Sequence, residues 1–147
     1  MRYEDLMKVR SCPFCPKRLN DPDCHQVIYQ ANKAALMVNR APYVKDHLMV
    51  VPLRHVTSVE SLTQAESQGT RKLVMRAVSL LKKRGHKAYS ILVRQGKDSG
   101  KSVQHVHVHV IPDVVVTDKE HASAERPVMT ERKLNGLVRI YQKLLDI

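Results

Sequence analysis

Cysteine is scarce in this chain: three residues in 147 are too few, and odd in number, for a disulfide framework. Such usage fits a reducing compartment, and a cytoplasmic protein is expected. Long apolar runs are missing too. Nothing approaches the roughly 20 consecutive apolar residues of a membrane span, so no membrane partner is expected. Residues 1–20 are charged and have no apolar stretch of the kind a secretory leader carries. No internal repeat or low-complexity tract is present. Acid is also short, with 14 Asp and Glu against 25 Lys and Arg, a net charge of +11. That balance suits a polyanionic partner, whether nucleotide phosphates, nucleic acid or an anionic membrane. However, Arg71, Lys72, Arg76, Lys82, Lys83, Arg84 and Lys87 crowd one predicted helix and its exit. A solvated helix face therefore accounts for much of the excess.

What is present is an ordinary hydrophobic share of 43%. At this length a core can form without covalent staples, and one domain spanning 1–147 is expected. Residues 1–26 read as irregular, punctuated by Pro13, Pro16 and Pro22. Two β-rich runs, Val27–Ala31 and Ala34–Asn39, meet at Asn32-Lys33 as a hairpin, and a third, His47–Val51, ends at Pro52. Thr63-Gln64-Ala65-Glu66 has the spacing of a capping box, and Leu73, Val74, Ala77, Leu80 and Leu81 continue it as a helical stripe. Lys82, Lys83 and Arg84 then meet the negative end of the helix dipole, with Gly85 as terminator. Gly69 inside this helix is expected to cost about 1 kcal/mol relative to alanine. Strands over Ala88–Arg94 and Val103–Ile111 follow, then a polar loop over 113–129. A last amphipathic helix, 130–147, starts at Thr130. The expected class is α+β, a mainly antiparallel sheet with two principal helices.

The chemistry gathers in His105-Val106-His107-Val108-His109-Val110-Ile111. On a strand, this run puts three imidazoles on one face and three valines on the other. One buried histidine is ordinarily a satisfied polar group, but three at strict period two would each need a partner. Residues i and i+2 lie about 6.6–6.8 Å apart, so two of them can share an ion. His105 and His109, about 13 Å apart, cannot both join His107 on one metal. At least one imidazole is left for other work. Neutral imidazole attacks phosphorus well and histidinium donates to phosphate oxygens, which suits phosphoryl or nucleotidyl transfer.

Two further motifs stand outside that run. Cys12-Pro13-Phe14-Cys15 presents two thiolates to one ion, half of a tetrahedral zinc site, with buried or redox-active cysteines as the alternative. Cys24 and His25 offer a local completion. Gly96-Lys97-Asp98-Ser99-Gly100-Lys101-Ser102 looks like a phosphate-binding P-loop, yet Gln95 stands where its first glycine belongs. It also leads into a strand rather than a helix N-terminus, so a P-loop is rejected.

The triad and its surroundings resemble the histidine triad (HIT) superfamily of nucleotide hydrolases and transferases. Gly100-Lys101-Ser102-Val103-Gln104-His105 is similar to the family's Gly-x-Ser/Thr-Val-x-His lead-in. Leu36-Met37-Val38-Asn39-Arg40-Ala41-Pro42 and His47-Leu48-Met49-Val50-Val51-Pro52-Leu53-Arg54-His55 look like its nucleoside-binding strands. The resemblance covers roughly residues 27–112 and points to the fragile-histidine-triad and dinucleoside tetraphosphate branches. It implies a HIT-like fold, pairing as a homodimer with continuous sheets, and a purine nucleotide substrate. It further implies that His107 attacks the α-phosphate to form a nucleotidyl-histidine, and that His109 hydrogen-bonds the phosphate. Ser102 would touch the phosphate or leaving group, Gln95 would hold a phosphate oxygen, Asn39 would bind the ribose, and His47 would support the histidines. By likeness to the family's zinc-bearing branch, His55 and His105 complete the site of Cys12 and Cys15. Zinc there would be structural, no organic cofactor is implied, and Cys24 would stay a free thiol.

Two departures from the family pattern are visible. Lys101 replaces a common glutamine, and Asp113 replaces an arginine frequent after the triad. His121, with Asp118 and Glu120, belongs to the polar loop and is expected to be solvated. The implied activity is cleavage of a phosphoanhydride or phosphoramidate in a substrate such as a dinucleoside polyphosphate, with water or inorganic phosphate as acceptor. The rival readings are removal of adenylate from nucleic-acid ends and a zinc-stabilised, non-catalytic binding module on the same scaffold.

Overall fold

The computed structural model describes residues 12–96, 99, 103–115 and 126–145. Five strands, β1 (Val27–Ala31), β2 (Ala34–Val38), β3 (Leu48–Pro52), β4 (Tyr89–Val93) and β5 (Val108–Pro112), form one sheet. Their order is β1-β2-β3-β5-β4, and every neighbouring pair is antiparallel. Among the described residues three helices accompany it: α1 (Pro16–Leu19), α2 (Gln64–Lys83) and α3 (Glu131–Leu144), with a 3-10 turn at Val59–Ser61. The α+β class with two principal helices is the one adopted. Among the described residues no helix is long and apolar enough to cross a membrane.

Local signals explain most of these boundaries. Asn32 and Lys33 sit at φ 55° and 67°, the left-handed pair that turns a two-residue hairpin with the right twist. At the start of α2, the Thr63 hydroxyl accepts the Glu66 N–H at 3.1 Å and the Glu66 carboxylate accepts the Thr63 N–H at 2.9 Å. At its end Gly85 adopts φ 92°, and the N–H groups of Gly85 and His86 donate to the carbonyls of Lys82 and Leu81, both at 3.0 Å. This pair of bonds is a Schellman closure. Thr130 caps α3, accepting the Lys133 N–H at 3.3 Å.

The sheet has a core on each side. Leu36, Val38, Leu48, Val50, Val108 and Val110 meet the stripe of α2 (Leu73, Val74, Ala77, Leu80, Leu81) and Leu134, Val138 and Tyr141 of α3. On the opposite face Ala35, Met37, Met49 and Val51 meet Phe14 and Leu19 of the N-terminal segment. β2, β3 and β5 are consequently buried throughout. His109 pairs with Met49 across the β3–β5 ladder, which puts it on the face away from the helices.

Three expectations need correction. Residues 16–19 are helical, with Pro16 at the first helical position. Asn39 and His47 fall just outside β2 and β3, where the chain leaves the ladder. The strand expected over Val103–Ile111 begins only at Val108. Upstream of it the Val106 N–H donates to the Val56 carbonyl at 2.7 Å, so this stretch pairs with a loop instead of with β3.

Gly69 has a function its helix propensity hides. A Cβ there would lie 1.7 Å from the backbone carbonyl oxygen of Asn32, so only glycine lets the β1–β2 turn rest on α2. Helix propensity alone predicts that Gly69→Ala stabilises by about 1 kcal/mol. The close approach predicts the opposite, a loss of about 1–3 kcal/mol, visible as a lower thermal midpoint. A raised midpoint would mean that the hairpin is not held there.

Candidate active site and metal-ligand cluster

The two imidazoles at the centre of the site have their tautomers set by backbone groups. His107 Nδ1 lies 2.7 Å from the carbonyl oxygen of His105. A carbonyl only accepts, so Nδ1 carries the hydrogen and the lone pair is on Nε2. Nearby, the Tyr43 N–H donates to His47 Nδ1 at 3.1 Å, which leaves the hydrogen of His47 on Nε2. That Nε2 donates to His109 Nδ1 at 2.8 Å, and the hydrogen of His109 is thereby on Nε2. The rings of His107 and His109 meet edge to face, centroids 4.9 Å apart. Burial first, then the charges of His47, His107, Arg94 and Arg126, hold His109 well below the ordinary histidine range. It is neutral at physiological pH. A nucleophilic nitrogen and a neutral N–H donor thus stand side by side, as transfer at phosphorus requires.

The expected partners are distributed unevenly around this pair. His47 is fully buried against His109. Asn39 is buried as well, its Nδ2 3.2 Å from His47 Nδ1 and its Oδ1 accepting the Ala41 N–H at 2.9 Å. It buttresses the loop that carries His47. Gln95 is exposed and engaged at both ends of its amide: Oε1 accepts the Val59 N–H and Nε2 donates to Glu60, each at 2.8 Å. The structure does not bring it to the triad. Ser102, Lys101, Asp98, Asp118, Glu120 and His121 lie outside the described residues.

Residue-by-residue reading missed several neighbours. Tyr43 stacks on His109, centroids 5.7 Å apart and planes 21° off parallel. The Arg126 guanidinium lies 4.2 Å from the Tyr43 ring centroid and donates to the Ala41 carbonyl at 3.0 Å. Phe14 packs against both His105 and His107, at 6.1 and 5.2 Å between centroids. Arg94 follows β4, whose Leu92 pairs with His109. Only strand parity, read with the ladder register, could have found it.

His105 does separate work. Its Nε2 donates to the Pro52 carbonyl at 2.7 Å, which turns the Nδ1 lone pair toward Cys12 Sγ at 3.4 Å and Cys15 Sγ at 3.7 Å. His55 Nδ1 is 3.3 Å from Cys15 Sγ. The four ligand atoms of Cys12, Cys15, His55 and His105 all lie within 4.8 Å of one another. Sulfur and nitrogen ligands on one tetrahedral zinc would be about 3.6 Å apart, from bond lengths of about 2.3 and 2.05 Å, so the donor set fits such an ion. An imidazole anchored by a carbonyl on its far nitrogen is the usual support for a metal ligand. Burial, then the neighbouring Cys12, pushes the Cys15 thiol up to about 11. Cys24 and His25 are not part of this group. The local knuckle is thus not formed, and Cys24 packs on the Phe14 core instead.

Asp113, at the place of the family's arginine, faces away from the triad. Its carboxylate meets His86 Nδ1 at 2.6 Å and accepts the N–H groups of Lys87 and Ala88. His86 Nε2 in turn meets buried Asp46 at 2.7 Å, where Arg84 and the Tyr141 hydroxyl also donate. Burial alone would raise the Asp46 carboxyl, but these donors outweigh it and hold it below the usual range. Asp46 directly precedes His47 and sits at φ 67°. This network therefore ties the histidine-bearing loop to the ends of α2 and α3.

An antiparallel sheet with paired, tautomer-fixed imidazoles on one face defines a histidine-triad domain. A family model of the HIT domain matches residues 23–115, and the chain belongs to that family. It is 33% identical over 101 residues to a HIT-like protein of Methanocaldococcus jannaschii, covering 69% of this chain and 78% of that protein. It is 38% identical over 93 residues to bis(5'-adenosyl)-triphosphatase of Saccharomyces cerevisiae, covering 59% of this chain and 43% of the yeast protein. The chain thus spans less than half of that relative. Among solved structures, a zinc-bound histidine triad protein from Mycobacterium smegmatis superposes with a TM-score of 0.68 at 21% identity, covering 92% of this chain and 96% of that one.

The cluster has a direct check. Metal analysis of the purified protein should find about one divalent ion per chain, and joint substitution of Cys12 and Cys15 by serine should remove it. Metal retained at full occupancy by the double variant would refute the assignment.

Proposed function

We propose that the protein cleaves a phosphoanhydride or phosphoramidate bond in a purine nucleotide, with dinucleoside polyphosphates as the substrate class. The observation that carries this is the His107 tautomer: its Nδ1 hydrogen is committed to the His105 carbonyl, so Nε2 is the attacking atom. In the first step Nε2 bonds to the α-phosphorus as the bond to the leaving group breaks, a phosphate leaving as its anion and an amine leaving with a proton taken from water. His109 Nε2–H donates to the charge that develops on the phosphoryl oxygens. In the second step water adds to phosphorus, the P–N bond breaks, and the nucleotide leaves with His107 restored. The name of the yeast relative supports this substrate class. Ser102 at the leaving group and Asn39 near the ribose are part of the proposal.

Zinc at Cys12, Cys15, His55 and His105 is proposed as structural. Four protein ligands would leave the ion no open position, so it would serve to hold the N-terminal segment against the sheet. Pairing as a homodimer is proposed through β4. This is an edge strand whose Ile91 and Val93 stay 49% and 38% exposed on the helix-covered face. They adjoin a groove lined by Val59, Leu62, Val74 and Val108. An open strand edge beside apolar surface favours addition of a second sheet.

Replacing His107 by alanine should lower kcat on diadenosine polyphosphates by at least about 10⁴-fold while nucleotide binding persists. Rapid quench of the wild type should trap an acid-labile nucleotidyl adduct on His107, by mass spectrometry. Turnover by the variant at the wild-type rate would sink the mechanism. For assembly, joint substitution of Ile91 and Val93 by aspartate should convert a dimer to a monomer in light scattering. A wild-type chain that is monomeric at high concentration would exclude pairing through this edge.

A further inference from the structure

Strand parity decides which side chain of the β4 exit faces the site. Leu92 pairs with His109 and Val93 with Val108, so Leu92 lies on the triad face and Val93 on the helix face. By the same alternation Arg94, one position beyond the last pair, returns to the triad face. Gln95 falls on the other side, where its amide meets Val59 and Glu60. From the opposite flank the segment after the polar loop brings Arg126 over the outer side of Tyr43, whose ring stacks on His109. Two guanidinium groups therefore flank the imidazole pair from separate elements. Both are held by backbone carbonyls: Arg94 donates to Ser99 at 3.0 Å and Arg126 to Ala41 at 3.0 Å. His109 senses both charges.

We propose that Arg94 and Arg126 form a two-sided clamp for the phosphates beyond the one attacked, so that the site selects its substrates by polyphosphate charge. Guanidinium keeps its charge at any working pH and offers its N–H groups as a planar fork, the geometry that phosphate oxygens accept. A bond to a carbonyl helps to orient each group before substrate arrives. The clamp also accounts for Asp113. With that residue bound to His86 and to the Lys87 and Ala88 amides, cationic recognition has to come from other elements. This inference rests on the phosphoanhydride activity proposed above, and its test separates the two.

Calorimetric titration with inorganic tripolyphosphate measures the clamp without turnover. Arg94→Gln and Arg126→Gln should each weaken binding about tenfold or more, the lysine variants should retain most of it, and the exposed control Arg132→Gln should match wild type. In steady-state kinetics the same glutamine variants should raise KM on diadenosine tetraphosphate more than on the triphosphate. Turnover of adenosine phosphoramidate, whose leaving group has no phosphate, should fall less than that of either diadenosine substrate. Equal losses on all three substrates would make the arginines structural and overturn the clamp. Wild-type protein that does not bind tripolyphosphate would overturn it as well. Arginine-dependent tripolyphosphate binding by a protein that cleaves none of the substrates would support the clamp and refute the proposed reaction.

Discussion

A single hydrogen bond, from His107 Nδ1 to the carbonyl of His105 two residues earlier, sets the character of the whole site. Without it the imidazole could place its hydrogen on either nitrogen and the ring could turn. With it, one nitrogen is fixed as donor into the backbone and the other keeps the lone pair. The bond is possible because the chain leaves regular strand geometry before Val108. In a continuous ladder the His105 carbonyl would be directed to a neighbouring strand and lost to the side chain. His47 and His109 extend the same principle, each ring relaying a direction that begins at the Tyr43 backbone.

The three triad histidines consequently divide their labour by depth along the chain. His105 turns its Nδ1 to the cysteines, His107 keeps its lone pair on Nε2, and His109 remains in the strand as the relay's end. The two centres are coupled through Phe14, because the turn that supplies Cys12 and Cys15 also lays this ring on His105 and His107. Gathering the cysteines beside His105 and covering the His107 ring are one structural event. The sheet keeps this chemistry on one side and commits the other to the helices, so a large apolar core can stabilise the domain without crowding the reactive rings.

Features governed by neighbours in sequence were legible before any coordinates. The Asn32-Lys33 hairpin, the Thr63 capping box, the Gly85 terminator and the apolar stripe of α2 all stand where they were expected. Local geometry alone decides them. The ligand cluster was legible only through family likeness, since His55 and His105 reach the cysteines across long stretches of chain. What escaped depends on register or docking. Alternation from Val103 onward looks the same whether the residues pair with β3 or, as Val106 does, with a loop. Gln95 and Arg94 could not be separated without knowing which rung they follow. Arg126 gave no periodic signal, because its place comes from the Tyr43 ring beneath it. Gly69 looks like a defect from helix propensity alone, because the Asn32 carbonyl that requires it is distant in sequence.

The Asp46 cluster reaches further than its distance from the triad suggests. One buried carboxylate gathers Arg84, His86 and the hydroxyl of Tyr141, and the next residue is His47. The last helix thus helps to set the angle of the imidazole that follows this carboxylate. The stretch by which the family is recognised, residues 23–115, leaves out Tyr141 at one end and both cysteines of the cluster at the other. A fragment trimmed to that signature would keep every histidine of the motif and lose the braces that aim them. The working unit of this domain is larger than its emblem.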